Sequence, residues 1–284
     1  MKRPFLALAC LATAALLAPV AATSASAQAR TADPAAVLQK QFRTGHGVAF
    51  TEKILSTERG KTDILIRRAG KFQFGTGGVA ASTITSTFNV KASEIKELPE
   101  ELQGVFRPEQ TIRIGTTSYI KGGIFGSFLP DGKTWLKYPS GPPAGMSSMF
   151  GQLVGVTEPA TLKTLLSTAK KGSGVYSGRV TFAQLWKVSK WFRSTQVGKK
   201  PTGAKAKSQV TWKLYVTAKG LVTRIVSSYP GTAVGLGAGA VTTDTRFTGW
   251  GGRVSIKPPA ADDVAGMADL DLGDGLSMSR FPLG

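Results

Sequence analysis

Period-two patterning from Val48 to Lys121 limits this chain's fold more than any other feature. Val48 and Phe50 alternate with polar neighbours, and Ile64 with Ile66 and Phe72 with Phe74 repeat the pattern. Ile84, Ser86, Phe88 and Val90 then fall on one side, with Thr83, Thr85, Thr87 and Asn89 on the other. Ile112, Ile114 and Tyr119-Ile120-Lys121 follow. Successive residues of a strand face opposite sides, so such alternation predicts strands with one apolar and one wet face. Gly60, Gly70, Gly75, Gly77-Gly78 and Gly122-Gly123 punctuate the runs, which suits an antiparallel meander. Pro130-Asp131-Gly132-Lys133 is a turn joining Phe125–Leu129 to Trp135–Tyr138.

The later chain adds helices and more strands. Asp33 and Pro34 predict a helix start, with Val37, Leu38, Gln41 and Phe42 on one face. Ala92 to Leu102 reads as a short exposed helix or loop. Residues 139–150, rich in Pro, Gly, Ser and Met, read as a flexible connection. Thr157 is the expected N-cap of a second helix that places Leu162, Leu165, Leu166 and Ala169 on one face. Val175 to Val180 predicts a strand, and Phe182, Leu185, Trp186 and Ser189 a third helix. Val210–Val216 and Leu221–Tyr229 form the clearest hairpin, turning at Ala218-Lys219-Gly220. A last strand pair is expected around Thr245–Thr248 and Val254–Ile256. Many strands with few helices predict an α+β fold, one large antiparallel sheet with helices on one face.

Lys2-Arg3, the apolar run Phe5 to Val20, and the small-x-small sequences Ala25-Ser26-Ala27 and Ala27-Gln28-Ala29 predict a secretory signal peptide over 1–29, cleaved after Ala27 or Ala29. The expected domain runs from 33 to 261. Residues 262–284, with five Asp and no Lys, read as a flexible acidic tail. The single Cys, Cys10, leaves with the leader, so the exported chain is not expected to carry a lipid anchor. Removing Lys2 and Arg3 takes the formal charge from +19 to +17. A hydrophobic fraction of 42% excludes a disordered basic tail.

Few catalytic chemistries remain. One Cys and one His cannot build a Cys-rich zinc site or a multi-His centre, so no metal or cofactor is expected. His46 falls in a helix-to-strand turn. There is no Gly-x-Ser-x-Gly elbow and no Walker spacing around the Gly-Lys pairs. Gly235 to Gly239 lacks a following amphipathic helix and reads as a mobile hairpin loop. Strand carboxylates are too sparse for a glycosidase pair, and Asp262, Asp263, Asp269, Asp271 and Asp274 lack EF-hand spacing. The reading is of a protein that is not an enzyme.

Charge is placed unevenly. Residues 159–243 hold fourteen Lys and Arg and no acid. Lys187, Lys190, Arg193, Lys199, Lys200, Lys205 and Lys207 are the candidates for a surface that meets anionic head groups or wall polymers. Export argues against nucleic acid as the partner.

Four stretches, in order, carry a family likeness. They are Tyr119-Ile120-Lys121 with Leu129 to Lys137, the helix Pro159–Lys171 leading into Tyr176–Leu185, Tyr215 to Arg224, and Trp250-Gly251 with Val254 to Val264. Together they resemble the LppX/LprG-type lipoprotein family of actinobacterial envelopes, related in fold to the LolA/LolB lipoprotein carriers. The family's lipobox cysteine is absent here, Thr217-Ala218-Lys219 replaces its acid, and Arg253 stands where Pro is common. The resemblance implies a strongly curved antiparallel half-barrel with helices over its concave face. It also implies a non-enzymatic, lipid-binding role in the cell envelope, acyl chains lying between sheet and helices. Candidate cavity residues are Phe50, Ile64, Ile66, Phe72, Phe74, Ile84, Phe88, Ile112, Ile114, Leu162, Leu165 and Leu166. The alternative is a binding module that uses its basic surface and holds no internal ligand.

Overall fold

A computed structural model describes residues 32–99, 103–196 and 199–270. The expected signal peptide, Cys10 and residues 271–284 of the expected tail lie outside these.

The period-two runs form twelve strands among the described residues: β1 His46–Glu58, β2 Lys61–Gly75, β3 Gly78–Phe88, β4 Glu109–Ile114, β5 Thr117–Gly122, β6 Trp135–Tyr138, β7 Lys170–Lys171, β8 Val175–Thr181, β9 Gln209–Val216, β10 Val222–Pro230, β11 Ala240–Arg253 and β12 Val264–Gly266. They make one open, curved sheet in the order β12-β6-β5-β4-β3-β2-β1-β11-β10-β9-β8-β7. Every pairing is antiparallel except β12 on β6. The N-terminal meander and the C-terminal hairpins thus meet along β1 and β11.

Six helices accompany the sheet among the described residues: α1 Pro34–Gln39, α2 Ala92–Lys96, α3 Pro159–Ser167, α4 Phe182–Val188, α5 Lys190–Thr195 and α6 Gly203–Lys207. Asp33 accepts from the Ala35 amide at 3.0 Å at the start of α1. α3 begins one residue later than its sequence suggests, with Glu158 at the N-cap and Pro159 in the first turn. α4 opens with a reciprocal cap: Thr181 Oγ1 accepts from the Gln184 amide, and Gln184 Oε1 accepts from the Thr181 amide. The expected third helix is two, broken at Ser189, whose hydroxyl caps α5.

α1, α3, α4 and α5 turn Ala35, Leu38, Leu162, Leu165, Phe182, Leu185 and Phe192 onto the concave face of the sheet, where they join one core with Phe50, Phe72, Phe74, Trp212 and Tyr229. Phe50 stacks on Phe72 at 5.0 Å, and Phe72 meets the edge of Trp191 at 5.6 Å. A smaller cluster of Ile120, Ile124, Phe125 and Leu136 lies under β5 and β6.

Three segments differ from the sequence expectation. Val254–Ile256 is not a strand; β11 instead continues through Thr245–Thr248 to Arg253. Residues 262–270, expected within the tail, dock on the sheet: Val264 to Gly266 pair with Trp135 to Lys137. Lys133 Nζ also donates to the Asp262 carbonyl at 2.8 Å, and Met267 and Leu270 pack on the smaller cluster. Residues 139–150, expected as a flexible connection, continue into a buried strap across the concavity.

Candidate functional site

The strap explains what fills the half-barrel. Ala144, Gly145, Ser147, Ser148, Leu153, Val154 and Val156 are buried, and polar groups on the inner sheet face hold them. Arg68 on β2 donates through Nε and Nη2 to Glu52 Oε1 on β1 at 3.0 and 2.6 Å. Both side chains are 1% exposed. Arg68 also donates to the Ser147 carbonyl, and the Gln152 amide donates to Glu52. Thr245 Oγ1 donates to Glu52 Oε2 at 2.7 Å. Gln152 Oε1 accepts from Ser227 and from the Val154 amide, and Tyr229 donates its hydroxyl to the Phe150 and Gly151 carbonyls. Burial pushes the Tyr229 hydroxyl pKa far up, so it stays a donor. Ser147, Phe150, Gly151 and Gln152 are thus each bonded to a specific strand side chain, which fixes a segment of low intrinsic order.

Small residues make this fit possible. A Cβ at Gly151 would overlap the Arg68 guanidinium. A Cβ at Gly145, where φ is 48°, would overlap the Glu109 carboxylate and strain the backbone as well. Glu109 is 4% exposed and accepts from the Met146 amide at 3.3 Å. Burial pushes its carboxyl up to about 8, against the opposing pull of the Met146 amide and of Arg68.

With the strap in place, a space of about 20 Å³ lies under the sheet against Phe50, Glu52, Arg68, Phe72 and Trp191 among others. That is no more than a water site. Of the candidate cavity residues, Phe50, Ile66, Phe72, Phe74, Ile84, Leu162 and Leu165 are buried in the core, and Phe88 and Leu166 pack at its margin. Ile64 is half-buried in β2. Ile112 and Ile114 lie on the other face of the sheet. They pair with Thr83 and Ala81, whereas Thr111 pairs with Ile84 and Arg113 with Ser82 on the inner face. Strand β4 therefore turns Glu109, Thr111 and Arg113 inward, against the rule that the apolar side faces the core.

The larger space is an open groove of about 430 Å³ at the rim of the half-barrel. Its walls are the β2–β3 turn and start of β3 (Gly77 to Ser82), the β4–β5 turn (Gly115, Thr116), the start of α3 (Thr157 to Ala160) and the α4–α5 junction (Val188, Lys190, Trp191, Ser194), with Arg113. None of the twelve cavity candidates lines it, and Lys190 is its one member from the basic surface set. Val79, 41% exposed, is the only large hydrophobic side chain so exposed among the described residues.

Arg113 is the groove's unusual group. Burial lowers its guanidinium below the ordinary value. Its Nε is buried without an acceptor, as is Thr111 Oγ1 two residues earlier on the same face. Among the described residues it has no ion pair. The groove's one carboxylate is already engaged: Glu158 accepts from the Thr161 and Ser189 hydroxyls at 2.9 and 2.5 Å and from the Trp191 amide at 2.7 Å. Trp191 Nε1 donates to the Gln152 carbonyl at 2.6 Å, tying the groove wall to the strap. The inward side of β4 could have been suspected from Ser82, Ser86 and Glu109, which make its neighbourhood polar, but alternation alone does not say which side is inner.

The basic candidates sit on α4, α5, α6 and the chain between them. Lys187, Lys190, Lys199, Lys200, Lys205 and Lys207 are exposed, and none is in an ion pair among the described residues. Arg193 differs: its Nη1 donates to the Trp186 carbonyl at 2.7 Å and so closes the end of α4. His46 is half-buried at the start of β1, its Nδ1 3.1 Å from the Thr44 carbonyl. Among the described residues no cluster of His, Cys, Asp or Glu could hold a metal ion. None of their helices is long and apolar enough to cross a membrane.

No family model and no curated protein matches the sequence. Among solved structures the fold is similar to a LolA superfamily protein from Nitrosomonas europaea, at 9% identity over 80% of this chain and 94% of that one, TM-score 0.30. It is also similar to a DUF1329 family protein from Desulfovibrio piger, at 11% identity over 76% and 89%, TM-score 0.29. A third similar structure is a Vibrio parahaemolyticus domain named for outer membrane lipoprotein sorting, at 8% identity over 76% and 89%, TM-score 0.26.

Proposed function

We propose that this protein is a non-enzymatic carrier or binder of an amphiphile, exported to the cell envelope or beyond and not lipid-anchored, and that the rim groove is where its ligand sits. The groove carries the proposal. At about 430 Å³ it falls within the size range of small-molecule sites, and its walls mix apolar side chains such as Val79, Pro159 and Trp191 with polar and charged ones in similar number. Burying about ten methylenes there gains roughly 8 kcal/mol gross, enough to offset an association cost of about 4–15 kcal/mol only when a polar contact helps. This departs from a ligand threaded through the core positions, because the strap occupies that volume. The LppX/LprG likeness of the four sequence stretches supports a lipid as the amphiphile. Native mass spectrometry of protein purified from its own host tests the idea. An adduct of lipid mass, removed by organic extraction and restored with fatty acid, is expected. A ligand-free mass with no uptake contradicts it.

A second reading is favoured by the unpaired lysines of α4, α5, α6 and their connections: a docking surface for anionic membranes or wall polymers. It predicts liposome binding that rises with anionic lipid and weakens steeply with salt. Salt-insensitive binding removes it.

A further inference from the structure

We propose that Arg113 anchors the anionic head of the groove's ligand, an oxyanion such as a carboxylate or phosphate. This rests on the amphiphile reading above and specifies the ligand's charge.

The argument starts from an imbalance. Arg113 is half-buried, but its Nε is fully enclosed and unpaired, and such a donor is costly, because proteins normally pair it or leave it in water. Arg113 lies between Ser82 on β3 and Ser118 on β5 in the sheet register. Neither neighbour supplies an acceptor to it: Ser118 donates its hydroxyl to the Gly141 and Pro142 carbonyls. Arg68, one sheet region away, is saturated by Glu52 and the strap. Among the described residues, Arg68 has an acceptor at each of its three nitrogens and Arg113 has none, and Arg113 opens on the groove. Lys190 adds a second cation to the same walls, and Glu158 has spent its oxygens on Thr161, Ser189 and Trp191. With two free cations against one carboxylate whose oxygens are already taken up by hydrogen bonds, the site is net positive and favours an anion. The planar fork of an arginine suits two oxygens of one group.

The test is calorimetric titration with four probes below their micellar concentrations: dodecyl phosphate, dodecyl maltoside, dodecyltrimethylammonium and inorganic phosphate. The wild type is expected to bind dodecyl phosphate at least tenfold more tightly than dodecyl maltoside, and the ammonium probe most weakly. Arg113→Gln is expected to erase that preference by weakening dodecyl phosphate far more than dodecyl maltoside, and Arg113→Lys to restore part of it. The variant's thermal midpoint is expected to match or exceed the wild type's, which a structural arginine does not permit. Equal affinity for the phosphate and maltoside probes, or a preference surviving in Arg113→Gln, overturns the anchor and leaves the groove reading standing. Inorganic phosphate binding as tightly as dodecyl phosphate, and only with Arg113 present, keeps the oxyanion site and overturns the amphiphile. Failure of every probe overturns both.

Discussion

Glu109 shows at residue scale how this fold handles an inward charge. Its carboxyl is enclosed by Gly123 and Gly145, and burial raises it to about 8 from an ordinary value near 4.5. A raised carboxyl binds its proton more tightly folded than unfolded. The stability this gives is complete below about pH 4.5 and is lost as pH rises through about 8. Thermal midpoints of Glu109→Gln compared with wild type across that window are expected to converge at acid pH and to favour the variant at alkaline pH. A constant difference contradicts this. The Glu52–Arg68 pair instead meets its charges by direct contact. Arg68→Met leaves Glu52 buried and charged, and is expected to cost about 3–5 kcal/mol in denaturant unfolding. A loss under about 1 kcal/mol contradicts a fully buried pair.

The strap is the element that decides whether the concavity is open or filled. Gly151 lies against Arg68, so Gly151→Ala must push the guanidinium from Glu52. Loss of stability comparable to Arg68→Met is expected, without additivity in the double variant, because both break one network. Additive losses contradict the shared network. At α4, Thr181→Ala removes the cap on Gln184 and is expected to cost about 1 kcal/mol. These elements were unevenly legible in the sequence. Alternation located most strands, Asp33 and Pro34 marked the start of α1, and Thr157 placed the cap of α3 one residue early. The strap was hidden because Pro, Gly and Ser signal weak local preference, while its order comes from partners such as Gln152 with Ser227, 75 residues away. β4 was misjudged for a related reason. Its isoleucines suggested the inner face, but Glu109 and Thr111 are enclosed there by the strap and β3, so tertiary packing outweighed hydropathy. The groove was illegible, since Val79, Arg113, Ala160 and Lys190 come from four separate elements.

At the scale of the molecule, an open twelve-strand sheet must bury one face and guard two edges. The core and strap bury the concave face. Lys170 and Lys171 form the exposed edge at β7, and short β12 closes the other. The rim groove stays open beside this core and adjoins the lysine-bearing helices through Lys190. A carrier with this layout loads at the rim, with the core left packed. Photo-crosslinking with a diazirine-bearing dodecyl phosphate, mapped by peptide mass spectrometry, tests this most directly. The account predicts labels on Val79, Ala160 and Trp191, suppressed by excess unlabelled probe. Labels confined to residues 199–207 or to the outer face at Ile112 and Ile114, or no competable label, contradict it.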